Sequence, residues 1–236
     1  MKTIGLIGGM SWESSKLYYE LLNIKIRETL GGSHSAKCIM VSVDFSEIER
    51  LTFKGDWKAI GELMKQAAQQ LERAGADIIL LCTNTIHLVS NYISDTVSIP
   101  FLHIATTTGE AIKKLGLKKI ALLGTKFTME KDFYTKTLVN DFGLEILTPD
   151  ANDKQIIHDI IYNELVKGKF TNTSKQKIIT IIKKLQNQGV QGIILGCTEL
   201  PILISKSDVV LPTFDTGKIH AYSAIEWSLQ NKSIAL

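Results

Sequence analysis

Two short segments, about 115 residues apart, carry the same set of reactive side chains. The first, at residues 78–85, contains Cys82-Thr83-Asn84, and the second, at residues 193–200, contains Cys197-Thr198-Glu199. In each, an apolar run opens into a thiol, then a hydroxyl, then an amide or a carboxylate. Thiols and carboxylates take up and release protons, and a reaction that must reach both faces of one carbon needs two such groups. The repeated motif therefore predicts acid/base chemistry to which both halves of the chain contribute.

The apolar runs before the two motifs predict the elements that position these side chains. Four apolar residues bounded by turn residues are typical of a buried parallel strand, and in open α/β sheets the site lies beyond the carboxyl ends of the strands. An amphipathic helix closed by Gly75 or Gly189 precedes each cysteine strand, since glycine just past the last periodic residue marks a helix end. A repeat this long exceeds the roughly 20 to 50 residues of a solenoid unit and indicates two similar domains.

Strands and helices alternate along the chain, which predicts an α/β fold. We expect two pseudo-symmetric, doubly wound domains, each with a four-stranded, mainly parallel sheet, and an active site in the cleft between them. The first domain is predicted to comprise residues 1–103 plus 212–236, and the second residues 104–211. The last helix is expected to pack back on the first domain. Strands are predicted at residues 3–7, 38–43, 78–81, 101–104, 120–123, 144–147, 193–195 and 209–211.

Composition limits the classes of protein to be considered. A net charge of +3 without a basic run argues against a nucleic-acid partner. No segment approaches the ~20 apolar residues of a membrane span, and the N-terminus lacks the pattern of a signal peptide. Three cysteines without a CxxC pair favour neither a disulfide framework nor a zinc site, and Cys38 is expected to pack as a small hydrophobic residue. These features predict a cytoplasmic location.

Small-residue turns follow the first predicted strand of each half. Gly8-Gly9-Met10-Ser11 allows the backbone to turn tightly, and Ser11 either caps the next helix or helps its backbone N–H groups to hold an anion. The segment lacks the glycine spacing of a dinucleotide fingerprint and of a Walker loop. Thr125 lies in the corresponding turn, either as a helix-entry residue or as a ligand hydroxyl.

Three motifs taken together resemble those of the aspartate/glutamate racemase superfamily. They are Gly-Gly-Met-Ser near the N-terminus, Cys-Thr-Asn-Thr-Ile-His after the third strand, and Gly-Cys-Thr-Glu-Leu late in the chain. The resemblance extends nearly end to end and looks strongest to the bacterial aspartate racemases and broad-specificity amino-acid racemases. It implies a homodimer that racemises an amino acid such as aspartate or glutamate. It also implies two opposed acid/base residues and no cofactor, neither pyridoxal phosphate nor a metal.

The chain departs from the family pattern at one acid/base position. Most members carry Cys directly before Asn-Thr, whereas this chain has Thr83 there and Cys82 one residue earlier. The internal repeat pairs Cys82 with Cys197, but the family alignment pairs Thr83 with the first catalytic Cys. Adjacent strand residues point to opposite faces, so only one of the two faces the cleft. We adopt the family alignment because Asn84 and Thr85 match it beside this position. In this alignment Thr83 and Cys197 are the catalytic residues, and Cys82 is expected to be buried.

The substitution has a chemical consequence. A thiolate is accessible near neutral pH, whereas a threonine hydroxyl needs a neighbouring base. The resemblance assigns Cys197 to the L-face, with a preference for the L-isomer, and leaves Thr83 to return a proton on the other face. A helix N-terminus at the strand-to-helix turn is expected to lower the pKa of the Cys197 thiol. Glu199 either accepts that proton or caps the next helix.

The resemblance also implies a set of substrate-binding residues. Side-chain selection falls to a loop at residues 50–54, in which Thr52 is the matching position and Arg50 or Lys54 are alternatives. Lys167 is a second candidate cation. His87, His103 and His220 are expected to pack or cap rather than to catalyse. The residues carried over by position are Met10, Ser11, Thr52, Asn84, Thr85, Thr125 and Thr198.

Two other functions remain open from the sequence. One is a related enzyme of the same fold that uses one thiol, such as a decarboxylase or a maleate isomerase. The other is a non-catalytic amino-acid-binding protein. Product analysis separates the first from a racemase, and binding without exchange of the α-proton identifies the second.

Overall fold

The computed structural model describes residues 1–230, which form two compact units. One unit is Met1–His103 together with residues 220–230, and the other is Ile104–Ile219. The sequence assigned residues 212–219 to the first domain, but they belong to the second unit because the strand Thr213–Asp215 pairs with that unit's sheet. The end of the predicted first domain, residues 231–236, lies outside the described residues.

The first unit is built on a parallel sheet with the strand order β2-β1-β3. The predicted fourth strand at residues 101–104 is wrong, since only Phe101 forms a bridge, to Ile79. A proline precedes this bridge and helix α5 begins at Ile104, so residues 101–103 form a short connection rather than a strand. The elements are β1 (Ile4–Gly8), α1 (Trp12–Leu30), β2 (Cys38–Ser42), α2 (Phe45–Lys54), α3 (Trp57–Arg73), β3 (Ile78–Leu81), a 3₁₀ turn (Thr85–Val89) and α4 (Asn91–Ser94).

The second unit repeats this arrangement with the strand order β5-β4-β6-β7, all parallel. In both units the first strand is central and the next two strands flank it, which confirms the internal repeat. The elements are α5 (Ile104–Lys114), β4 (Lys119–Gly124), α6 (Lys126–Glu130), α7 (Asp132–Phe142), β5 (Glu145–Leu147), α8 (Ala151–Asn163), a 3₁₀ turn (Leu165–Lys167), α9 (Asn172–Gln186), β6 (Gly192–Gly196), α10 (Leu200–Leu203), β7 (Thr213–Asp215) and α11 (Thr216–Leu229).

The last strand lies further along the chain than predicted. The apolar residues 209–211 are not a strand, and Val210 is 91% exposed. Asp208 closes a turn just before them by accepting from both the N–H and the hydroxyl of Ser205, at 2.8 and 2.6 Å. Pro212 has no N–H to donate to a sheet, and its carbonyl is the first to bond β6, accepting from Ile193 at 2.9 Å. The strand therefore begins after this proline.

Helices cover both faces of each sheet, and side-chain alternation decides which residues face which helices. In the first unit Ile4 and Leu6 of β1 pack against α1 and α11, whereas Ile7 packs against α2 and α3. Ala221 and Ile225 of α11 are buried in the first of these cores, so the expected packing of the last helix on the first unit is confirmed. None of the helices within residues 1–230 is long and apolar enough to cross a membrane.

Residues 50–54 form the end of a helix rather than a loop. Asp44 caps the start of α2 by accepting from the N–H of Ser46, and Gly55 ends it with φ of +72°. Ile48 and Leu51 bury the inner face of this helix. The cap, the apolar spacing and the final glycine are a helix signature that is present in the sequence.

Candidate active site

Two glycines bring the ends of β4 and β6 close together. Gly124 and Gly196 are paired in register, and a Cβ on Gly196 would lie 2.8 Å from the carbonyl oxygen of Leu123. A side chain here would push the strands apart, because real Cβ atoms do not approach so closely. Thr125 and Cys197, the next residue of each strand, therefore leave the same edge of the sheet.

Cys197 shares a buried carboxylate with its neighbour. Its Sγ donates to Oε2 of Glu199 at 2.9 Å, and the Thr198 hydroxyl donates to the same oxygen at 2.8 Å. Cys197 and Glu199 are 8% and 6% exposed. The structure therefore assembles three residues of the second motif into one hydrogen-bonded group.

This environment holds the thiol in its protonated form. Burial raises the pKa of Cys197 well above its usual range, and the Glu199 carboxylate raises it further, while the N–H groups of Glu199 and Leu200 oppose this less strongly. The N–H groups at the start of α10 lower the pKa of this thiol as expected, but burial and Glu199 raise it more, so the predicted net lowering is wrong. The thiol needs a neighbouring base to ionise, and Glu199 is in position to be one.

Thr125 caps the short helix that follows β4. Its hydroxyl oxygen accepts from the N–H of Thr128 at 3.2 Å, so the helix-entry role is the one observed. The next residue, Lys126, is half-buried, and its ammonium donates to Oε1 of Gln155 at 2.7 Å. Gln155 in turn donates to Asp159 at 2.7 Å. Lys126 is not among the predicted site residues, although a cation directly after the Gly-Thr turn is visible in the sequence.

A second carboxylate lies at the end of the neighbouring strand β7. Asp215 is paired in register with Leu195, and burial raises its pKa. Its Oδ1 accepts from the N–H of Lys218 at 3.0 Å, and the Thr216 hydroxyl donates to the carbonyl of Leu195 at 3.0 Å. The strand pairing and the bond of Thr216 to Leu195 fix β7 beside β6.

In the first unit Cys82 and Thr83 lie in different environments. Cys82 is fully buried in the core formed with α1 and α11, and burial raises the pKa of its thiol far above the usual range. The burial predicted for Cys82 is confirmed. Thr83 is partly exposed, so it is the residue of this pair that reaches the surface of its unit.

Three histidines lie together behind Thr83. The ring centroid of His87 is 4.7 Å from that of His103 and 5.9 Å from that of His220. The ring of His87 contacts the carbonyl of Thr83 at 2.7 Å through Nδ1. Burial, and then the neighbouring histidines, hold the pKa of His87 well below its usual range. The expected packing role of these histidines is confirmed, with an added bond to the candidate catalytic residue.

His220 connects three separate parts of the first unit. Its Nε2 lies 2.8 Å from the carbonyl of Leu102, so this nitrogen carries the proton and Nδ1 accepts from the Tyr18 hydroxyl at 2.8 Å. Burial lowers the pKa of His220 to about 3. The ring is therefore neutral, with one fixed tautomer.

The turn after β1 requires glycine. Gly9 has φ of +92°, and a Cβ there would overlap the carbonyl oxygen of Val43. Ser11 caps α1, and its hydroxyl oxygen accepts from the N–H of Ser14 at 3.4 Å. Met10 is 5% exposed and packs in the core under α2 and α3. The cap interpretation of Ser11 is thus observed, while anion binding there stays a prediction.

The remaining predicted binding residues have unequal surroundings. Thr52 is buried on α2, and its hydroxyl donates to the carbonyl of Ile48 at 2.8 Å. Asn84 and Thr85 are both buried where the 3₁₀ turn begins. The alternative cations Arg50, Lys54 and Lys167 are exposed, the first two on α2 and the third at the end of a 3₁₀ turn.

No group of three or more His, Cys, Asp or Glu side chains within residues 1–230 is arranged to hold a metal ion.

Comparison with known proteins assigns the chain to a family. The model of the Asp/Glu/Hydantoin racemase family matches residues 7–224. The chain belongs to this family. It is accordingly an isomerase of the amino-acid racemase type, and its two parallel α/β units have the racemase fold.

Relatives support this assignment over nearly the whole chain. A broad-specificity amino-acid racemase of Bacillus subtilis is 25% identical over 98% of this chain and 100% of its own. The solved structure of a candidate Asp/Glu racemase from Yersinia pestis is 49% identical, with a TM-score of 0.92, and covers 98% of this chain and 100% of its own. The solved structure of an aspartate racemase homologue from Pyrococcus horikoshii is 38% identical, with a TM-score of 0.83, and covers 97% of this chain and 99% of its own.

Proposed function

We propose that this racemase acts on acidic amino acids of the aspartate/glutamate type and favours the L-isomer. It removes the proton from one face of Cα and returns one to the other, with Cys197 and Thr83 as the two groups. The observation that carries this proposal is the hydrogen bond of the Cys197 thiol to the buried Glu199 carboxylate. A thiol alone in such a site stays protonated, and an adjacent carboxylate supplies the base that activates it.

Proton removal begins within the Cys197–Glu199 pair. The thiol passes its proton to Oε2 of Glu199, 2.9 Å away, and the thiolate then takes the α-proton of the L-isomer. The Thr198 hydroxyl donates to the same carboxylate oxygen, which keeps the carboxylate aimed at the sulfur. The electron pair left on Cα is delocalised into the substrate carboxylate.

Proton return is assigned to Thr83. Its hydroxyl gives a proton to the opposite face of Cα and regains one from water, which reaches this partly exposed side chain. The excess proton on the Cys197–Glu199 pair leaves to solvent, so the protons balance. An alcohol is a far weaker base than a thiolate near neutral pH, and removal of the α-proton from the D-isomer is therefore the slow direction.

Hydroxyl, amide and backbone donors hold the substrate in this proposal. The donors proposed in the first unit are Ser11, Asn84, Thr85 and the backbone at Met10. Those proposed in the second unit are Thr125 and Thr198. Thr52 is a weaker candidate for side-chain selection, since its hydroxyl already donates within α2. Lys126 fits the distal carboxylate better, because its half-buried ammonium is held by an uncharged amide.

The proposal extends to assembly and location. We propose a homodimer on the strength of the family resemblance, and sedimentation of a monomer at micromolar concentration would contradict it. We also place the enzyme in the cytoplasm, where a reducing environment keeps the Cys197 thiol available.

The test is entry of solvent deuterium at Cα. The enzyme is incubated in D₂O with L-aspartate, L-glutamate and a panel of neutral amino acids, and exchange is followed by NMR with Cys197→Ser as the control. Exchange with the acidic substrates that disappears in the control supports the proposal. Absence of exchange with every amino acid would overturn it, and release of carbon dioxide or double-bond isomerisation would identify a related one-thiol enzyme.

A further inference from the structure

Two side chains hold the backbone on either side of Thr83. The Ser14 hydroxyl donates to the carbonyl of Cys82 at 2.7 Å, which fixes the peptide group before Thr83. His87 contacts the carbonyl of Thr83 itself at 2.7 Å, which fixes the peptide group after it. We call Ser14 and His87 the Thr83 clamp.

The histidine of the clamp is the donor in its bond. A carbonyl oxygen only accepts, so Nδ1 of His87 carries the proton. The backbone N–H of His87 goes instead to the carbonyl of Asn84, at 3.1 Å. The side chain of His87 thus bonds the Thr83 carbonyl, four residues away in the same turn.

The clamp limits where the Thr83 hydroxyl can lie. The Thr83 N–H donates to the carbonyl of Leu81 at 2.9 Å. Three backbone groups around Thr83 are therefore hydrogen-bonded: the carbonyl of Cys82, and the N–H and carbonyl of Thr83. With both peptide planes fixed, the Cα–Cβ bond has one direction. Threonine is β-branched and has few χ1 rotamers, so the hydroxyl is restricted to a few positions.

We propose that His87 is a positioning residue for proton return, holding Thr83 so that its hydroxyl is aimed at Cα. This inference rests on the proposed function, since it assigns to His87 the geometry of the step that Thr83 performs. Ser14 serves the same purpose from the other side. His87 is 1% exposed and in this proposal acts through Thr83, so the step on Cys197 does not depend on it.

The two half-reactions give separate readouts in D₂O. Deuterium in recovered L-substrate reports removal and return of the proton by Cys197 alone. Formation of the D-enantiomer reports inversion, which requires Thr83. A purely structural defect lowers both rates together, whereas a misaimed Thr83 lowers inversion relative to exchange.

The matched variants are His87→Gln and His87→Asn. Asparagine places an N–H donor near the position of Nδ1, and glutamine moves it about one bond further out. We expect His87→Gln to lower inversion roughly 10- to 100-fold, the penalty for a misplaced reacting group, with exchange into the L-isomer changed less than about threefold. We expect His87→Asn to restore most of the inversion.

Two further variants guard against a folding defect. Ser14→Ala removes the other half of the clamp with a smaller change of volume, and it too should lower inversion relative to exchange. His220→Gln removes a buried imidazole of the same cluster, keeps a donor for the carbonyl of Leu102, and should leave the ratio unchanged.

Three results decide the matter. An unchanged ratio of inversion to exchange in both His87→Gln and Ser14→Ala would overturn the inference. So would an equal loss of both rates in every clamp variant. Lack of any exchange by the wild-type enzyme would overturn the proposed function instead.

Discussion

Cys197 and Glu199 form a buried acid/base pair in which a thiol donates to a carboxylate. Two anions so close together and so poorly solvated are unfavourable, which favours the protonated form of the Cys197 thiol. The raised pKa of Cys197 follows from burial first and from Glu199 second. In the proposed mechanism the thiol is therefore protonated at rest, and it becomes a base when Glu199 takes its proton.

Glu199→Gln separates two effects of the carboxylate, which raises the pKa of the Cys197 thiol and, in the proposed mechanism, accepts the proton of that thiol. Because the negative charge is lost, the pKa of the Cys197 thiol should fall, and alkylation of Cys197 should begin at lower pH than in the wild type. Exchange of the α-proton should nevertheless slow about 100-fold, since an internal acid/base partner contributes on the order of 10² or more. The two measurements are mass spectrometry of the Cys197 peptide after iodoacetamide treatment across pH, and exchange in D₂O. An unchanged alkylation profile would contradict the assigned cause of the shift.

Thr83→Cys restores a thiol at the first acid/base position. A thiol, with a pKa of about 8.5, is a better base near neutral pH than an alcohol, so turnover should rise and the D-isomer should become a better substrate. The measurement is the initial rate from each enantiomer, with Thr83→Ser as the control that keeps a hydroxyl. Equal or lower rates from the D-isomer in Thr83→Cys would count against Thr83 as the proton donor.

Cys82→Ala tests which residue of the adjacent pair acts. Cys82 is fully buried, so the change should lower the free energy of unfolding by about 1 kcal/mol and leave exchange largely intact. Denaturant unfolding and the rate of inversion are compared with those of Thr83→Ala. If Cys82→Ala formed no D-enantiomer while Thr83→Ala still did, the internal-repeat alignment would replace the family alignment.

At the scale of elements, the paired glycines at the ends of β4 and β6 set the spacing of the second motif. A Cβ on Gly196 would lie 2.8 Å from the carbonyl oxygen of Leu123. Gly196→Ala should therefore destabilise the protein by about 1–3 kcal/mol, as overpacking does, and also reduce exchange by displacing Cys197.

Gly143→Ala is the control for this prediction. Gly143 ends α7 with φ of +64° and has open space around it, so alanine there costs about 1 kcal/mol through backbone strain alone. Its exchange rate should match that of the wild type. If Gly196→Ala kept full exchange activity, the glycine pair would not be what positions Cys197.

The sequence predicted the elements that carry the motifs, because their signals are local. β3 and β6 are short, fully buried apolar runs, and the helices before them end at a glycine. The sequence did not predict that Glu199 raises the pKa of the Cys197 thiol, since the 2.9 Å hydrogen bond between them depends on how the turn folds. Nor did it predict the contact of His87 with Thr83, which depends on how the 3₁₀ turn Thr85–Val89 folds.

Two element assignments failed for physical reasons that a single sequence hides. The run at residues 209–211 is apolar enough for a strand, but the following proline and the Ser205–Asp208 turn shift β7 to Thr213–Asp215. In contrast, α2 had visible capping residues at Asp44 and Gly55. Its absence from the prediction moved Thr52 from a helix into a presumed loop.

At the scale of the whole molecule, each unit repeats one sheet order, and the chain crosses from one unit to the other near residues 103 and 219. His220 bonds Leu102 and Tyr18 within the first unit, just beside both crossings. A neutral ring is required, because Nδ1 accepts from Tyr18. The integrity of this unit therefore depends on an uncharged histidine.

Acid should destabilise the protein through His220. Its folded-state pKa of about 3 lies below the ordinary 6.5, so the unfolded chain binds more protons between these values. The contribution to stability is complete above pH 6.5 and is lost as the pH falls towards 3. At pH 5 the loss should be about 2 kcal/mol, at 1.36 kcal/mol per pKa unit.

Urea unfolding at pH 7.5 and pH 5 measures this loss. His220→Gln keeps an amide donor for the carbonyl of Leu102 and removes the titration, so its stability should depend less on pH. An equal pH dependence in wild type and His220→Gln would show that another group is responsible.

In the proposed reaction this chain inverts Cα by exchanging its proton with solvent. To test this, L-aspartate or L-glutamate is incubated with the enzyme in D₂O, the enantiomers are separated, and the isotopic mass of each is determined. We expect a D-enantiomer that carries one deuterium at Cα and that does not form with Cys197→Ser. No D-enantiomer from either substrate, or a D-enantiomer that retains its original hydrogen, would contradict it.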